Sequence, residues 1–174
     1  MNNLPDPEHQ AKKHKRSKNK IFGDHLVVEK ENNLIRIVSQ NVNCIGVSHE
    51  INHKQENAKD WIYEHSVDII GWQETGVAFH SLPIRKRLAH RMKDIRWDKM
   101  QISSTNNKHE RIETFQYGGT AVMAFNAAVH RVKSTGVDET GLGRWSWILF
   151  EGKHNFRTRI ISGYVPCKSS INRH

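Results

Sequence analysis

The stretch that most constrains the fold of this chain is residues 68–75, with the sequence DIIGWQET. Residues 67–71 form a short, largely β-branched apolar run that ends at a glycine, which is typical of a buried strand. The strand leads directly to Glu74, which stands between Gln73 and Thr75. A carboxylate held at the carboxyl end of a central strand is well placed to bind a divalent cation. The tripeptide alone leaves open the alternative that Glu74 is a solvated strand-end residue.

The order of the other predicted elements indicates a layered α/β domain. Strands and helices alternate at first, and three strands then follow in a row, a pattern that excludes a helical bundle and an all-β sandwich. Residues 101–116 are polar, and we predict that they are irregular. The predicted order is strand 34–40, helix 54–65, strand 67–71, helix 82–95 and strands 119–125, 145–150 and 158–165.

The first predicted helix has a recognisable start and an apolar face. Asn52 and Gln55 resemble a capping box. Ala58, Trp61 and Ile62 follow at helical spacing, so we expect them to face the core. The second helix carries an apolar stripe, and its opposite face is basic, with Arg85, Arg87 and Arg91.

The positive charge of the chain lies in separate blocks. The net charge is +9, with six Lys or Arg against two acids in residues 1–20, seven against two in 81–100 and five against none in 153–174. Basic blocks around a carboxylate-bearing segment suit a polyanionic partner. Composition alone leaves simple solubility as an equal alternative.

Residues 1–33 are predicted to form a basic, disordered arm before a folded domain of residues 34–174. The run AKKHKRSKNK at residues 11–20 resembles a nuclear-localisation or nucleic-acid-contacting segment, and an inert solvated tail is the alternative. No apolar run approaches the ~18 residues of a membrane span, and no signal peptide is evident. We therefore predict a soluble, intracellular protein, with a nuclear location as one option. Cys44 and Cys167 are too few for a disulfide scaffold or a cysteine zinc site.

One motif indicates different chemistry. Residues 49–53, HEINH, match the H-E-x-x-H pattern of zinc proteases, in which two histidines lie one helical turn apart. The chain has 12 His, so a chance match is common. If Asn52 caps the following helix, His49 precedes that helix and cannot face His53 in the zinc-protease manner. We therefore favour a site built on Glu74.

Four short motifs occur in a fixed order along the chain. A strand leads into Asn41-Val-Asn43, a second strand leads into Gln73-Glu74-Thr75, GGTAVM follows at residues 118–123, and YVP follows at residues 164–166. In these motifs the chain resembles the endonuclease/exonuclease/phosphatase superfamily, which includes apurinic-site endonucleases and the endonuclease domains of non-LTR retrotransposons. The segment GLGRWSW at residues 141–147 is most similar to the retrotransposon-related branch.

The resemblance implies a two-sheet β-sandwich flanked by helices and a metal-dependent phosphodiesterase, most similar to a DNA endonuclease of the retrotransposon or repair type. Glu74 and Asn43 would hold Mg²⁺ or Mn²⁺, and Asn41 would orient a catalytic carboxylate or the phosphate. Tyr164 would hydrogen-bond the phosphate from the opposite wall, unless it is a core tyrosine. Arg85, Arg87, Arg91, Arg159 and Lys168 would contact the DNA backbone.

The resemblance covers about residues 33–170. The chain lacks two later motifs of the family, G-D-x-N and S-D-H. These motifs supply the groups that prepare the attacking water, so we expect the 174-residue chain alone to be marginally stable and catalytically incompetent. A sheet face with Trp145 and Trp147 would then meet solvent. Two alternatives remain, a superfamily phosphatase and a non-catalytic, basic nucleic-acid-binding remnant.

Overall fold

The computed structural model describes residues 30–31, 33–45, 53–81, 92, 100–109 and 116–165 of the chain. Strands dominate these ranges, and short 3₁₀ turns at Phe79–Ser81, Asn126–Arg131 and Lys153–Asn155 lie between them. The helix and strands are β1 (Ile37–Asn41), α1 (His53–Glu64), β2 (Ile69–Gln73), β3 (Met100–Thr105), β4 (Thr120–Phe125), β5 (Val132–Val137), β6 (Trp145–Glu151) and β7 (Arg157–Gly163).

The strands form two sheets that pack face to face. The first sheet has the strand order β1-β2-β4-β3, in which β1 and β2 are parallel and the other pairs are antiparallel. The second sheet is antiparallel with the order β5-β6-β7. β5 and β6 lie against β3 and β4, and β7 lies against β2 and β4. The fold class that the resemblance implied, an α/β fold whose two-sheet β-sandwich is flanked by helices, is therefore confirmed, with α1 as the flanking helix among the described residues.

Alternating side chains of the first sheet divide the core into two layers. Because successive residues of a strand point to opposite faces, β2 and β4 each contribute to both layers. The layer between the sheets contains Ile69, Val122, Ala124, Ala128, Ile148 and Phe150. The layer on the other face of the first sheet includes Ile62 of α1 together with Ile70, Trp72, Met123 and Phe125.

The predicted strands are present, and the structure corrects one prediction. Residues 101–116 were predicted to be irregular, but residues 101–105 belong to β3, which pairs along its whole length with β4. β5 was not predicted either. Both strands are polar in sequence, and their stability depends on pairing and on contacts such as the hydrogen bond from Ser103 Oγ to the Gly136 carbonyl at 2.7 Å. Such partners are distant in sequence, so local periodicity does not reveal them.

The predicted helix 54–65 is present as α1, displaced by one residue at each end. Ile62 is buried as expected, and Ala58 and Trp61 pack partly against the core. Gln55 and Lys59 are also buried, which the apolar pattern did not predict. The Lys59 ammonium pairs with the Glu56 carboxylate at 3.0 Å, so the buried cation has a partner.

Other predictions fall largely or wholly outside the described residues. These include most of the arm of residues 1–33, the capping residue Asn52, and the helix 82–95 apart from Met92, which is helical and fully buried. In the part of the chain that the structure describes, no helix is long and apolar enough to cross a membrane.

Candidate metal and phosphate site

Glu74 lies immediately after β2, where the parallel pairing of β1 and β2 continues beyond both strands. The Val42 and Cys44 amides donate hydrogen bonds to the carbonyls of Gln73 and Glu74, at 2.9 and 2.7 Å. Glu74 has a φ of +53°, in the left-handed region that non-glycine residues rarely adopt. The backbone around this carboxylate is therefore fixed in an uncommon conformation at the end of a central strand.

The loop after β1 lies beside Glu74 and has the same kind of backbone. Asn43 and Cys44 have φ values of +42° and +66°. The Asn43 amide donates to the side-chain oxygen of Asn41 at 3.0 Å. The Lys54 ammonium donates to the carbonyls of Asn43 and Cys44 at 2.7 and 2.8 Å. The Asn41 oxygen is thus used within its own turn, which leaves the NH₂ group of that side chain to donate to a ligand.

Tyr164 approaches the same region from the second sheet. Its backbone amide donates to the Arg144 carbonyl at 2.8 Å. A Cβ at Gly118 would lie 3.2 Å from the Tyr164 ring, so the ring packs closely over this glycine, whose φ is +79°. The Gly76 amide donates to the Gly118 carbonyl at 2.9 Å, and Thr75 pairs with Gly119. The residues directly after Glu74 and the Tyr164 ring therefore contact the same Gly-Gly segment.

The donor groups at this edge fit a hard divalent cation. Glu74 is half-buried, and among the described residues no hydrogen bond or ion pair engages its carboxylate. The neighbouring Asn43 is exposed and offers an amide oxygen. Mg²⁺ is commonly bound by one or two carboxylates and keeps several waters, and it prefers oxygen ligands of this kind. The residues present therefore suit Mg²⁺ or Mn²⁺.

The zinc motif does not gain support from the described part of the chain. His53 begins α1, whereas His49 and Glu50 lie outside the described residues. Among the described residues, no group of three or more His, Cys, Asp or Glu side chains is arranged to hold a metal. Glu74 with Asn43 remains the pair to which we assign metal binding as a proposal.

A second carboxylate near this edge holds a loop. Asp138 is buried, and it accepts hydrogen bonds from the Thr140 hydroxyl at 2.6 Å and from the Thr140 and Arg144 amides, each at 2.9 Å. Burial opposes ionisation of the Asp138 carboxyl, but these hydrogen bonds outweigh it and lower its pKa below the ordinary value. The Arg144 carbonyl also accepts a hydrogen bond from the Tyr164 amide. Asp138 therefore helps to fix the loop next to Tyr164.

Of the predicted DNA-contacting residues, only Arg159 falls within the described ranges; Arg85, Arg87, Arg91 and Lys168 do not. The Arg159 guanidinium lies 4.3 Å from the centre of the Trp147 ring. Trp147 alternates with the buried Ser146 and Ile148, so Arg159 and Trp147 are on the outer face of the second sheet. Arg159 is exposed there, where it can contact a phosphate.

The two-sheet architecture is similar to that of two solved structures. The chain is similar to an endonuclease/exonuclease/phosphatase family protein from Leptotrichia buccalis, with a TM-score of 0.52 and 14% identity over 76% of this chain and 55% of that chain. The chain has the endonuclease/exonuclease/phosphatase fold. It is also similar to an AP endonuclease from Archaeoglobus fulgidus, with a TM-score of 0.48 and 19% identity over 76% of this chain and 42% of that one. No family model and no curated protein matches.

The chain therefore spans about half of the length of these two structures, 42% and 55%. Within the endonuclease/exonuclease/phosphatase fold described here, Asn41, Asn43, Glu74 and Tyr164 lie on segments that meet at one edge of the sandwich. The family resemblance implied roles for these four residues, and those roles stay a prediction.

Three neighbours of the site were not predicted from the sequence. Lys54 was assigned only to a helix, Gly118 only to a motif, and Ser162 only to a strand. Lys54 comes second in α1, and this nearness to the helix start was the one local signal that it could reach the preceding loop. Ser162 carried no local signal, because its partners belong to β2.

Proposed function

We propose that this chain carries the metal-binding and phosphate-binding walls of a metal-dependent phosphodiester hydrolase that acts on DNA. One observation carries the proposal: the Glu74 turn, the Asn41-to-Asn43 loop and Tyr164 meet at one edge of the sandwich. A half-buried carboxylate and exposed amides suit a hard cation, and a phenol on the facing strand suits a phosphate oxygen.

Each residue has a distinct part in this proposal. Glu74 and Asn43 hold Mg²⁺ or Mn²⁺, which when bound offsets negative charge on a phosphodiester oxygen. Asn41 orients the phosphate through its NH₂ group, because its side-chain oxygen is engaged with the Asn43 amide. Tyr164 donates its hydroxyl hydrogen to the phosphate from the second sheet. These groups bind and orient the substrate.

The basic surroundings support DNA over a small or lipid-borne phosphate. The chain has a net charge of +9, and Arg159 is exposed on the second sheet. Arginine and lysine contacts to successive phosphates are sequence-independent and weaken as salt rises. We propose an endonuclease of the retrotransposon or repair type, and a nuclear location accords with the basic run at residues 11–20.

The test measures Mn²⁺ binding to the chain by electron paramagnetic resonance, which needs no catalytic activity. Wild type should bind one Mn²⁺, and Glu74→Gln should lower the affinity at least about tenfold, because removal of an ionised ligand costs a factor of that order. Glu64→Gln is the matched control, since Glu64 is exposed at the end of α1. Equal Mn²⁺ affinity in wild type and Glu74→Gln would refute the metal site.

Cleavage of supercoiled plasmid with Mg²⁺ tests the reaction itself. We expect the 174-residue chain alone to show no nicking. Any nicking that it does show should be lost in Glu74→Ala, while DNA affinity stays nearly unchanged because the basic residues supply most of the binding. A protein that binds DNA equally well with and without Glu74, and that shows no Glu74-dependent metal binding, is a nucleic-acid-binding protein instead.

A further inference from the structure

The Ser162 hydroxyl connects the two sheets close to the candidate site. Ser162 is buried in β7, and its hydroxyl donates to the Trp72 carbonyl at 2.8 Å. The same hydroxyl accepts a hydrogen bond from the Gln73 side-chain NH₂ group at 2.9 Å. Gln73 also donates to the Ser39 hydroxyl at 3.2 Å, so three strands, β1, β2 and β7, are connected at one level.

β7 lies directly against β2 where Ser162 faces Gly71. A Cβ at Gly71 would lie 3.4 Å from Ser162 Cβ and 3.5 Å from Ser162 Oγ. These are ordinary van der Waals distances, so the Ser162 side chain lies directly against the backbone of β2 at this position. The contact between the sheets is close and polar at this level, whereas further along the same strands Ile69 belongs to the apolar layer between the sheets and Ile160 packs against that layer.

The hydrogen bond between Gln73 and Ser162 lies close in sequence to both Glu74 and Tyr164. One hydrogen bond, from Gln73 to Ser162, therefore lies next to both sides of the candidate site. Gln73 is one residue from Glu74, and Ser162 is two residues from Tyr164. Any sliding of one sheet against the other changes the Glu74-to-Tyr164 separation and must first break this bond.

We propose that Gln73 and Ser162 are positioning residues that fix the separation between the metal-binding wall at Glu74 and the phosphate-binding wall at Tyr164. This inference rests on the proposed function. Catalytic groups must be held within fractions of an ångström of their working geometry, and buried hydrogen bonds behind them supply that precision. Ser162 and Gln73 contact neither metal nor phosphate in this account.

The test measures the distance between the two walls. Tyrosines are replaced by 3-fluorotyrosine, the Tyr164 resonance is assigned by its loss in Tyr164→Phe, and Mn²⁺ bound at Glu74 broadens it to a degree that depends steeply on distance. Ser162→Ala and Gln73→Met should keep Mn²⁺ affinity within about twofold, yet change the broadening by about twofold or more, since loss of the supporting contact shifts the site.

Two variants make the result specific. Ser162→Thr keeps the hydroxyl and should restore the wild-type broadening. Ser146→Ala removes another fully buried serine hydroxyl of the same sheet, which has no hydrogen-bond partner among the described residues, and should leave the broadening unchanged. A merely structural effect of losing a buried hydroxyl would appear in both Ser162→Ala and Ser146→Ala.

Three results would overturn this inference alone, and a fourth would overturn the proposed function as well. Wild-type broadening in Ser162→Ala means that the bond does not set the separation. Equal changes in Ser162→Ala and Ser146→Ala mean that any buried hydroxyl has this effect. Loss of Mn²⁺ binding in Ser162→Ala means that Ser162 supports Glu74 itself. Absence of Glu74-dependent Mn²⁺ binding in wild type refutes the proposed function, and the positioning role with it.

Discussion

At the residue scale, three neighbouring non-glycine residues share an uncommon backbone conformation. Asn43, Cys44 and Glu74 all have positive φ values, of +42°, +66° and +53°. For Cys44 and Glu74 this conformation costs roughly 1–2 kcal/mol each, whereas asparagine adopts it more readily. The hydrogen bond between the Cys44 amide and the Glu74 carbonyl joins these strained positions.

The strain predicts a trade-off at Glu74. Glu74→Gly should raise the free energy of unfolding by about 1 kcal/mol, because glycine adopts positive φ freely. The same variant should lose Mn²⁺ binding. Urea unfolding measures the stability, and Glu74→Ala, which keeps the strain, should be close to wild type. A Glu74→Gly protein less stable than Glu74→Ala would contradict the interpretation of this turn.

A second residue-scale prediction concerns pH. The pKa of Asp138 is lowered in the folded protein, so ionised Asp138 stabilises the fold above the ordinary pKa of 3.8. This stabilisation should decline as the pH falls through the lowered pKa. At pH 7, Asp138→Asn should cost roughly 1–3 kcal/mol, because it replaces hydrogen bonds to a charged group by weaker ones.

Unfolding of wild type and Asp138→Asn across pH 2–7 provides the check. The stability difference between them should be constant at neutral pH and shrink only below about pH 4, where the wild-type carboxyl protonates. If the difference in unfolding free energy between the two proteins stayed the same at the lowest pH, the charge of Asp138 would not be the source of its stabilisation.

At the element scale, the sequence predicted the strands that carry apolar residues in a run or in alternation, which are β1, β2, β4, β6 and β7. β2 and β4 are continuous apolar runs and were recognised, and the boundaries of α1 were predicted to within one residue. β3 and β5 were missed because their residues are polar and their stability comes from partners in other strands. The roles of the four candidate site residues were implied by the family resemblance and stay a prediction, whereas the contacts of Ser162 depend on tertiary packing that no local pattern encodes.

Lys54 provides a prediction about the loop between β1 and α1. Its ammonium donates to two carbonyls of the strained turn, so Lys54→Met should loosen this loop. Amide hydrogen exchange at Cys44 should speed up several-fold, corresponding to about 1 kcal/mol for loss of a charge-assisted hydrogen bond at an exposed site. Lys54→Arg keeps the charge and should exchange more slowly than Lys54→Met. Identical exchange in all three proteins would show that Lys54 does not hold the loop.

At the scale of the whole molecule, exposed apolar residues gather at the edges β1 and β7. Leu34 and Ile37 are 55% and 52% exposed, and Ile161 and Val165 are 58% and 79% exposed. The predicted exposure of the tryptophans is partial, since Trp145 is 37% exposed and Trp147 lies half-buried beneath Arg159. Apolar sheet edges favour association with other chains.

We therefore expect the 174-residue chain to self-associate as its concentration rises. Ile37→Lys should reduce association, because a lysine on an edge strand opposes pairing with a further strand. Sedimentation velocity measures the effect. Leu142→Lys is the matched control, since Leu142 is 40% exposed and lies in the loop between β5 and β6, outside both edges. Equal reduction by both variants would indicate a general charge effect and not an edge-specific one.

The most direct test of the central claim, that Glu74 holds a cation against a phosphodiester, is the coupling between Mn²⁺ and DNA binding. Mn²⁺ affinity is measured with and without a short DNA oligonucleotide, for wild type and Glu74→Gln. If the cation and the phosphate share the site, DNA should raise the Mn²⁺ affinity of wild type by roughly 5- to 150-fold, as for ligands coupled by about 1–3 kcal/mol. Glu74→Gln should lose this coupling and still bind DNA. Equal coupling in both proteins, or none in wild type, would contradict the account.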